Sequence, residues 1–251
     1  MHEVIPAINC HFGDDACVQS RLETATSLGA SWVHLDVCDG IFTFNKTWGN
    51  SKMWKSFSGV SSLQLEVHLM VARPELVLES WLQAGASRVV VHAEALLEPS
   101  GLDRRMEDGT VTEFVLELCA AYEAECMLSS NPETPVSFFS PIARSFRFFQ
   151  VLTVAPGLAG QAFLSPTLEK VRSIMEFNPK AIVEVDGGVT DETARLALSS
   201  GASVLVSASS IFASAHPDAA YKKLCAVSPA SSARAVVHKR TKKPSSHTKK
   251  S

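Results

Sequence analysis

His34 and Asp36 stand two residues apart in VHLDVCDG, and side chains two apart on a β-strand point to the same side, so the imidazole and the carboxylate share one face. A second imidazole, His68, lies in EVHLMV, and a second carboxylate, Asp186, ends VEVD just before two glycines. Two histidines and two aspartates make a nitrogen and oxygen ligand set suited to one divalent metal ion: Zn, Fe, Mn or Co. Burying an aspartate in a strand without a partner is costly, which favours reading the four together rather than as separate structural residues. His92 in VVVHAE also ends an apolar run, and with Glu94 it is read as a supporting or purely structural pair.

Glycine-rich turns supply a second kind of chemistry. TVAPGLAGQ carries Gly157, Leu158, Ala159 and Gly160, VDGG carries Gly187 and Gly188, and SASS carries Ala208 and Ser209 at the start of a short helix. Backbone N–H groups in such turns can cradle an anion, and phosphate is the anion that barrels commonly hold after their seventh and eighth strands.

The elements that must position these groups are legible as eight short apolar runs separated by helix-compatible stretches: EVIPAI, WVHLDV, LQLEVHLMV, RVVVHAE, AECMLSS, FRFFQVLTV, AIVEVDGG and ASVLVSAS. That alternation marks repeated βα units and a parallel sheet. Three of the runs follow a GAS break at Gly29, Gly85 and Gly201, where a helix end calls for a left-handed residue. Eight units in 251 residues with 46% apolar content predict a (β/α)8 TIM barrel over residues 1–228, with PDAAYKKLCAV as the closing helix. The longest irregular stretch, Leu96 to Glu113, reads as an extended loop that either covers substrate or runs over the surface.

Residues 229–251 form a tail expected to be disordered. Residues 234–251 hold seven of the 23 Lys and Arg and no acid, so 16 basic residues remain against 26 acidic ones, a balance of −10 for the preceding chain. Its charge alone suits contact with a polyanion, but the tail lacks aromatics for stacking and is assigned no function. No apolar run reaches the roughly 18 residues that span a bilayer, and no signal segment opens the chain, so no membrane partner and a cytoplasmic location are expected. Six irregularly spaced cysteines suggest reduced thiols rather than a disulfide framework.

The strings HLDVCDGIF, EVHLMV, VHAEA, NPET, TVAPGLAGQ and EVDGGV, in that order, resemble the ribulose-phosphate 3-epimerase family from about Val4 to Phe212. The resemblance implies metal-dependent epimerisation of a ketopentose phosphate at C3, by homo-oligomers. It assigns His34, Asp36, His68 and Asp186 to the metal, and Asp36 and Asp186 to acid and base chemistry through an enediolate. His68 joins the turn residues 157–160, 187, 188, 208 and 209 at the substrate, and Ala7, Cys38 and Met70 are expected to line the site. Cys38, two residues after Asp36, is expected to share its inward direction.

The chain departs from the family in the shell that fits substrate. Ala7 replaces a usual serine, Cys38 a methionine, IFTFN stands for HFVPN, and Ala159 and Ala208 enter turns that usually read GFGG and GS. Each alanine adds a methyl that is tolerable only at negative φ. Two other readings use the same residues: a non-catalytic barrel that binds a phosphorylated ligand, and another isomerase or decarboxylase among phosphate-binding barrels. The decarboxylases place a lysine soon after the second strand, and Lys46 stands too far along the loop for that part.

Overall fold

The computed structural model describes residues 2–229; the tail expected from Pro229 onward lies, beyond that residue, outside the described residues. Eight parallel strands close into one barrel in sequence order, with the eighth pairing back to the first. They are β1 (Glu3–Ile8), β2 (Trp32–Cys38), β3 (Gln64–Met70), β4 (Ala86–His92), β5 (Glu125–Ser129), β6 (Phe148–Leu152), β7 (Ile182–Asp186) and β8 (Val204–Ser207). Each falls on one of the eight apolar runs, β2 ending one residue later than its run and β4 starting two residues earlier. The helices around them are α1 (Asp15–Ser27), α2 (Ser51–Trp54), α3 (Leu78–Gln83), α4 (Ala93–Leu96), α5 (Val111–Ala121), α6 (Val136–Ala143), α7 (Leu168–Phe177), α8 (Asp191–Ser200), α9 (Ser209–Phe212) and α10 (Pro217–Cys225). Among the described residues no helix is long and apolar enough to cross a membrane.

Alternation along the strands divides the protein into two layers. Val33, Leu35, Val37, Leu65, Val67, Leu69, Val89 and Val91 point outward and are buried under the helices with Leu22, Trp81, Val115 and Val171 in the main core. Each such aliphatic side chain contributes about 1.5–3 kcal/mol by leaving water. The intervening residues point into the barrel. There Ile5, Ala7, Val204 and Val206 form one apolar cluster, and Val90, Met127 and Phe148 another. Between them the interior is polar: His34, Glu66, His68, His92, Gln150 and Glu184 are all buried.

The three glycines of the GAS breaks take positive φ, as their positions at helix ends require. The stretch from Leu96 to Glu113 folds on itself through two short antiparallel bridges, Leu97 with Asp103 and Arg105 with Thr110. It then enters α5 through a capping box between Thr110 and Glu113. Cys10 and Cys17 are joined in a disulfide, a pairing the spacing gave no reason to expect. It arises because the chain turns at His11 to Asp14 and α1 then starts back past β1, leaving the two Cα atoms 6.0 Å apart.

Candidate active site

Strand register brings the four proposed ligands together. Asp36 on β2 lies beside His68 on β3, and Asp186 ends β7 on the far side of the barrel mouth. His34 sits one turn of the pleat below Asp36 and is fully buried. The His34 Nε2 lies 3.2 Å from Asp36 Oδ1 and 3.9 Å from Asp186 Oδ2, and the His68 Nδ1 lies 3.2 and 3.6 Å from the same two oxygens. One donor atom from each of the four lies within 4.8 Å of the other three. For a tetrahedral cation with bonds of about 2.1 Å, neighbouring donors stand about 3.4 Å apart, so the donor set fits a divalent ion.

Deeper residues aim these donors. Glu66, two residues before His68, is 2.6 Å from His34 Nδ1, so that nitrogen donates to the carboxylate and Nε2 is left facing the two aspartates. Arg88 Nη1 donates to the other Glu66 oxygen at 2.7 Å and also binds Glu125. His68 is fixed from its far side, where its Nε2 lies 2.8 Å from Nε2 of His92 and the two ring planes are 3° from parallel. His92 Nδ1 in turn stands 3.5 Å from Glu94. Gln150 donates to Asp186 at 3.2 Å and to Glu184 at 3.1 Å, with Ser129 donating to its carbonyl. Asn9 donates to Asp36 at 2.8 Å.

The two aspartates have opposite proton affinities. Burial alone would raise Asp36, but hydrogen bonds from His34 and His68 and their charge outweigh it and hold the carboxyl far below its usual range. Asp186 is pushed up to about 7 by burial, opposed by the charge of His34 and reinforced by Asp36 and Glu66. His34 is raised despite burial, because Asp36 and Glu66 both accept from it. Burial, with the neighbouring His92, lowers His68 to about 4 even though Asp36 accepts from it.

A cavity of about 510 Å³ opens above this cluster, lined by Asp36, His68 and Asp186 at one end and by the glycine turns at the other. Gly157, Leu158, Ala159, Gly160, Gly187, Gly188, Ala208 and Ser209 all border it, as do Ala7 and Met70. Cys38 does not; its sulfur packs 3.8 Å from Met70 Sδ, and the residue borders a separate cleft beneath Phe12 and Lys46. The loop from Leu97 to Glu113 contributes nothing to the lining among the described residues. Backbone conformation explains the turn composition. Gly157 has φ +112°, and a Cβ there would lie 2.2 Å from Asn45 Oδ1. Among the described residues only Glu123 combines a side chain with positive φ, so Ala159 and Ala208 keep ordinary backbone and their methyls are accommodated.

Comparison with known proteins points the same way. The profile of the ribulose-phosphate 3-epimerase family matches residues 12–212. The chain belongs to the ribulose-phosphate 3-epimerase family. It is 32% identical to the ribulose-phosphate 3-epimerase of Mycobacterium bovis over 206 residues, covering 80% of this chain and 84% of that protein. It is 30% identical to that of Bacillus subtilis over 217 residues, covering 84% and 93%. As a member of this family the chain is an isomerase, an epimerase acting on carbohydrates. Solved structures with the same fold include 3-hexulose-6-phosphate synthase from Salmonella typhimurium, with TM-score 0.62, 13% identity and coverage of 90% and 97%. Another is 3-keto-L-gulonate-6-phosphate decarboxylase from Vibrio cholerae, with TM-score 0.61, 12% identity and coverage of 91% and 99%.

Sequence reasoning passed over Glu66, Arg88, Gln150, Glu184 and Asn9. A signal was present for four of them: each is a polar residue at an inward position of a strand otherwise built of Val, Leu and Phe, and Glu66 and Glu184 each precede a proposed ligand by two. Asn9 follows β1 and carried none.

Proposed function

We propose that this epimerase interconverts ribulose 5-phosphate and xylulose 5-phosphate, or a closely related ketose phosphate, through Asp36 and Asp186. The observation that supports this most strongly is the placement of two carboxylates, on β2 and β7, at one cavity, where a donor atom from each lies within 4.8 Å of those of His34 and His68. Epimerisation next to a ketone needs a base on one face of the carbon and an acid on the other. Asp36 accepts the C3 proton in one direction, and Asp186 delivers one to the opposite face. In the reverse direction the roles exchange. His34, Asp36, His68 and Asp186 would hold one divalent ion, whose chemistry when bound is that of a Lewis acid stabilising negative charge on the substrate oxygens. Glu66 and His92 keep the two imidazoles turned toward that position, and Gln150 steadies Asp186. The turns of residues 157–160, 187–188 and 208–209 would seat the phosphate, placing the carbon chain between the carboxylates.

Among the described residues no lysine lines the cavity, and Lys46 Nζ instead lies 4.2 Å over the Phe12 ring, which favours epimerisation over lysine-dependent decarboxylation. A homo-oligomer belongs to the same reading and is tested by light scattering on the purified chain. The central test is deuterium incorporation from solvent at C3 of ribulose 5-phosphate, with metal content measured on the same samples. Wild-type protein should incorporate label, and Asp36→Asn and Asp186→Asn should each lose at least about 10³-fold in turnover, more than the 10²–10⁴-fold range of one acid or base at its lower end. Undiminished exchange in either variant would remove that carboxylate from the mechanism.

A further inference from the structure

Arg21 on α1 is a cation without an anion. Arg73, Arg88, Arg104 and Arg172 are each paired with a glutamate, and the other described arginines without such a pair, Arg105, Arg144, Arg147 and Arg195, are exposed. Arg21 has no hydrogen bond or ion pair among the described residues; its guanidinium carbon lies 4.3 Å over the ring of Phe212, at the end of α9. The residue is half-buried, and desolvation lowers its hold on the proton. A half-buried guanidinium with no acceptor from the protein keeps its N–H groups free for a ligand or water.

Its position says which ligand. Arg21 lines a cleft of about 350 Å³ whose other walls include Ala7, Asn9, Ala159, Ala208 and Ser209. All five also border the central cavity, so the two spaces meet at the end formed by the turns after β6 and β8. Across both spaces Arg21 is the one lysine or arginine among the described lining residues, while Asp36 and Asp186 stand at the opposite end. Backbone N–H groups of the turns offer dipoles but no net charge, and a phosphate dianion held in a cavity that also contains two carboxylates gains most from a fixed cation. Phe212 lies against the guanidinium and accepts no hydrogen bond from it, so its N–H groups remain available to bond.

We infer that Arg21 is a substrate-binding residue, donating from its guanidinium to the terminal phosphate of the sugar and so selecting phosphorylated over unphosphorylated ketoses. This rests on the reading of the cavity as a ketose phosphate site. It adds a charged group that the glycine turns do not contain, and one that comes from α1, outside the strand ends.

The test is calorimetric titration of metal-loaded protein with inorganic phosphate, alongside KM and kcat for ribulose 5-phosphate, for wild type, Arg21→Gln and Arg21→Lys. Loss of a charge-assisted bond to phosphate predicts a dissociation constant about 10- to 100-fold weaker in Arg21→Gln, with KM raised by a similar factor and the loss falling on KM far more than on kcat. Arg21→Lys, which keeps the charge and the stem, should recover part of both and guards against a folding defect. Phosphate binding by Arg21→Gln within twofold of wild type overturns the inference, as does absence of saturable phosphate binding by wild type. The titration does not depend on turnover. Arg21-dependent binding in a protein that fails to exchange the C3 proton would keep this inference and defeat the proposed reaction, and normal exchange with an unaffected Arg21→Gln would do the opposite.

Discussion

Arg88→Met probes the charged layer beneath the site. Arg88 is 5% exposed, and its guanidinium binds Glu66, which is wholly buried, and Glu125, which is half in solvent. Methionine fills much of the volume, so the loss is chiefly electrostatic. Removing one partner of a buried pair costs about 3–5 kcal/mol, because the remaining charge is stranded in a medium of low dielectric. Here His34 still donates to Glu66 at 2.6 Å, which offsets part of that, while Glu184, already pushed toward its protonated form by burial and by Glu66, stands close by and does not help. The lower end, about 3 kcal/mol, is the expected loss. In a chain of this length that corresponds to a fall in Tm of about 6–12 °C. The assay is calorimetric unfolding of the metal-free protein, run with Glu66→Gln and the double variant. Glu66→Gln removes the stranded charge yet leaves an acceptor for His34, so the double variant should be more stable than the sum of the single losses predicts, by at least about 1 kcal/mol. Strict additivity, or a fall in Tm under 2 °C for Arg88→Met, would show that the layer is not an electrostatic unit.

Two further outcomes follow from the surroundings of single groups. Glu94 accepts from the Asn131 N–H and the Thr134 hydroxyl, and although burial works against its charge, these bonds and His92 hold its pKa down at about 2. A carboxylate depressed in the folded state contributes stability above its unfolded pKa, and that contribution fades as pH falls from about 4.5 toward 2; wild type should lose about 2 kcal/mol more than Glu94→Gln over that interval, and parallel acid-unfolding curves would contradict the assignment. Cys38 is pushed up to about 12, by burial first and then by Asp36, while Cys225 is exposed. Iodoacetamide at pH 8 should therefore modify Cys225 and spare Cys38, Cys119 and Cys126, as peptide mass mapping would show; labelling of Cys38 at a comparable rate would place its thiol nearer solvent than the structure does.

The order of elements was readable from the chain because strands buried on both faces must be apolar runs, and helix ends before them demand left-handed glycines; both are local constraints that each segment meets by itself. The outward positions of β2 and β3 are Val and Leu throughout, so His34, Asp36 and His68 were conspicuous as inward exceptions. What a local pattern does not contain is which inward residues share a level. Only closure of the barrel and its strand stagger put Asp36 beside His68 and brought Asp186 across to both, and the same closure stacked Glu66, Arg88 and Glu184 beneath them. The unequal proton affinities of the two aspartates have the same origin: identical side chains differ because one accepts from two imidazoles while the other meets mainly burial and like charge. The Cys10–Cys17 bridge and the approach of α1 to α9 at Arg21 likewise join segments that sequence spacing leaves unrelated. Periodicity, read along the chain, specified the barrel; contact across it decided which side chains face one another.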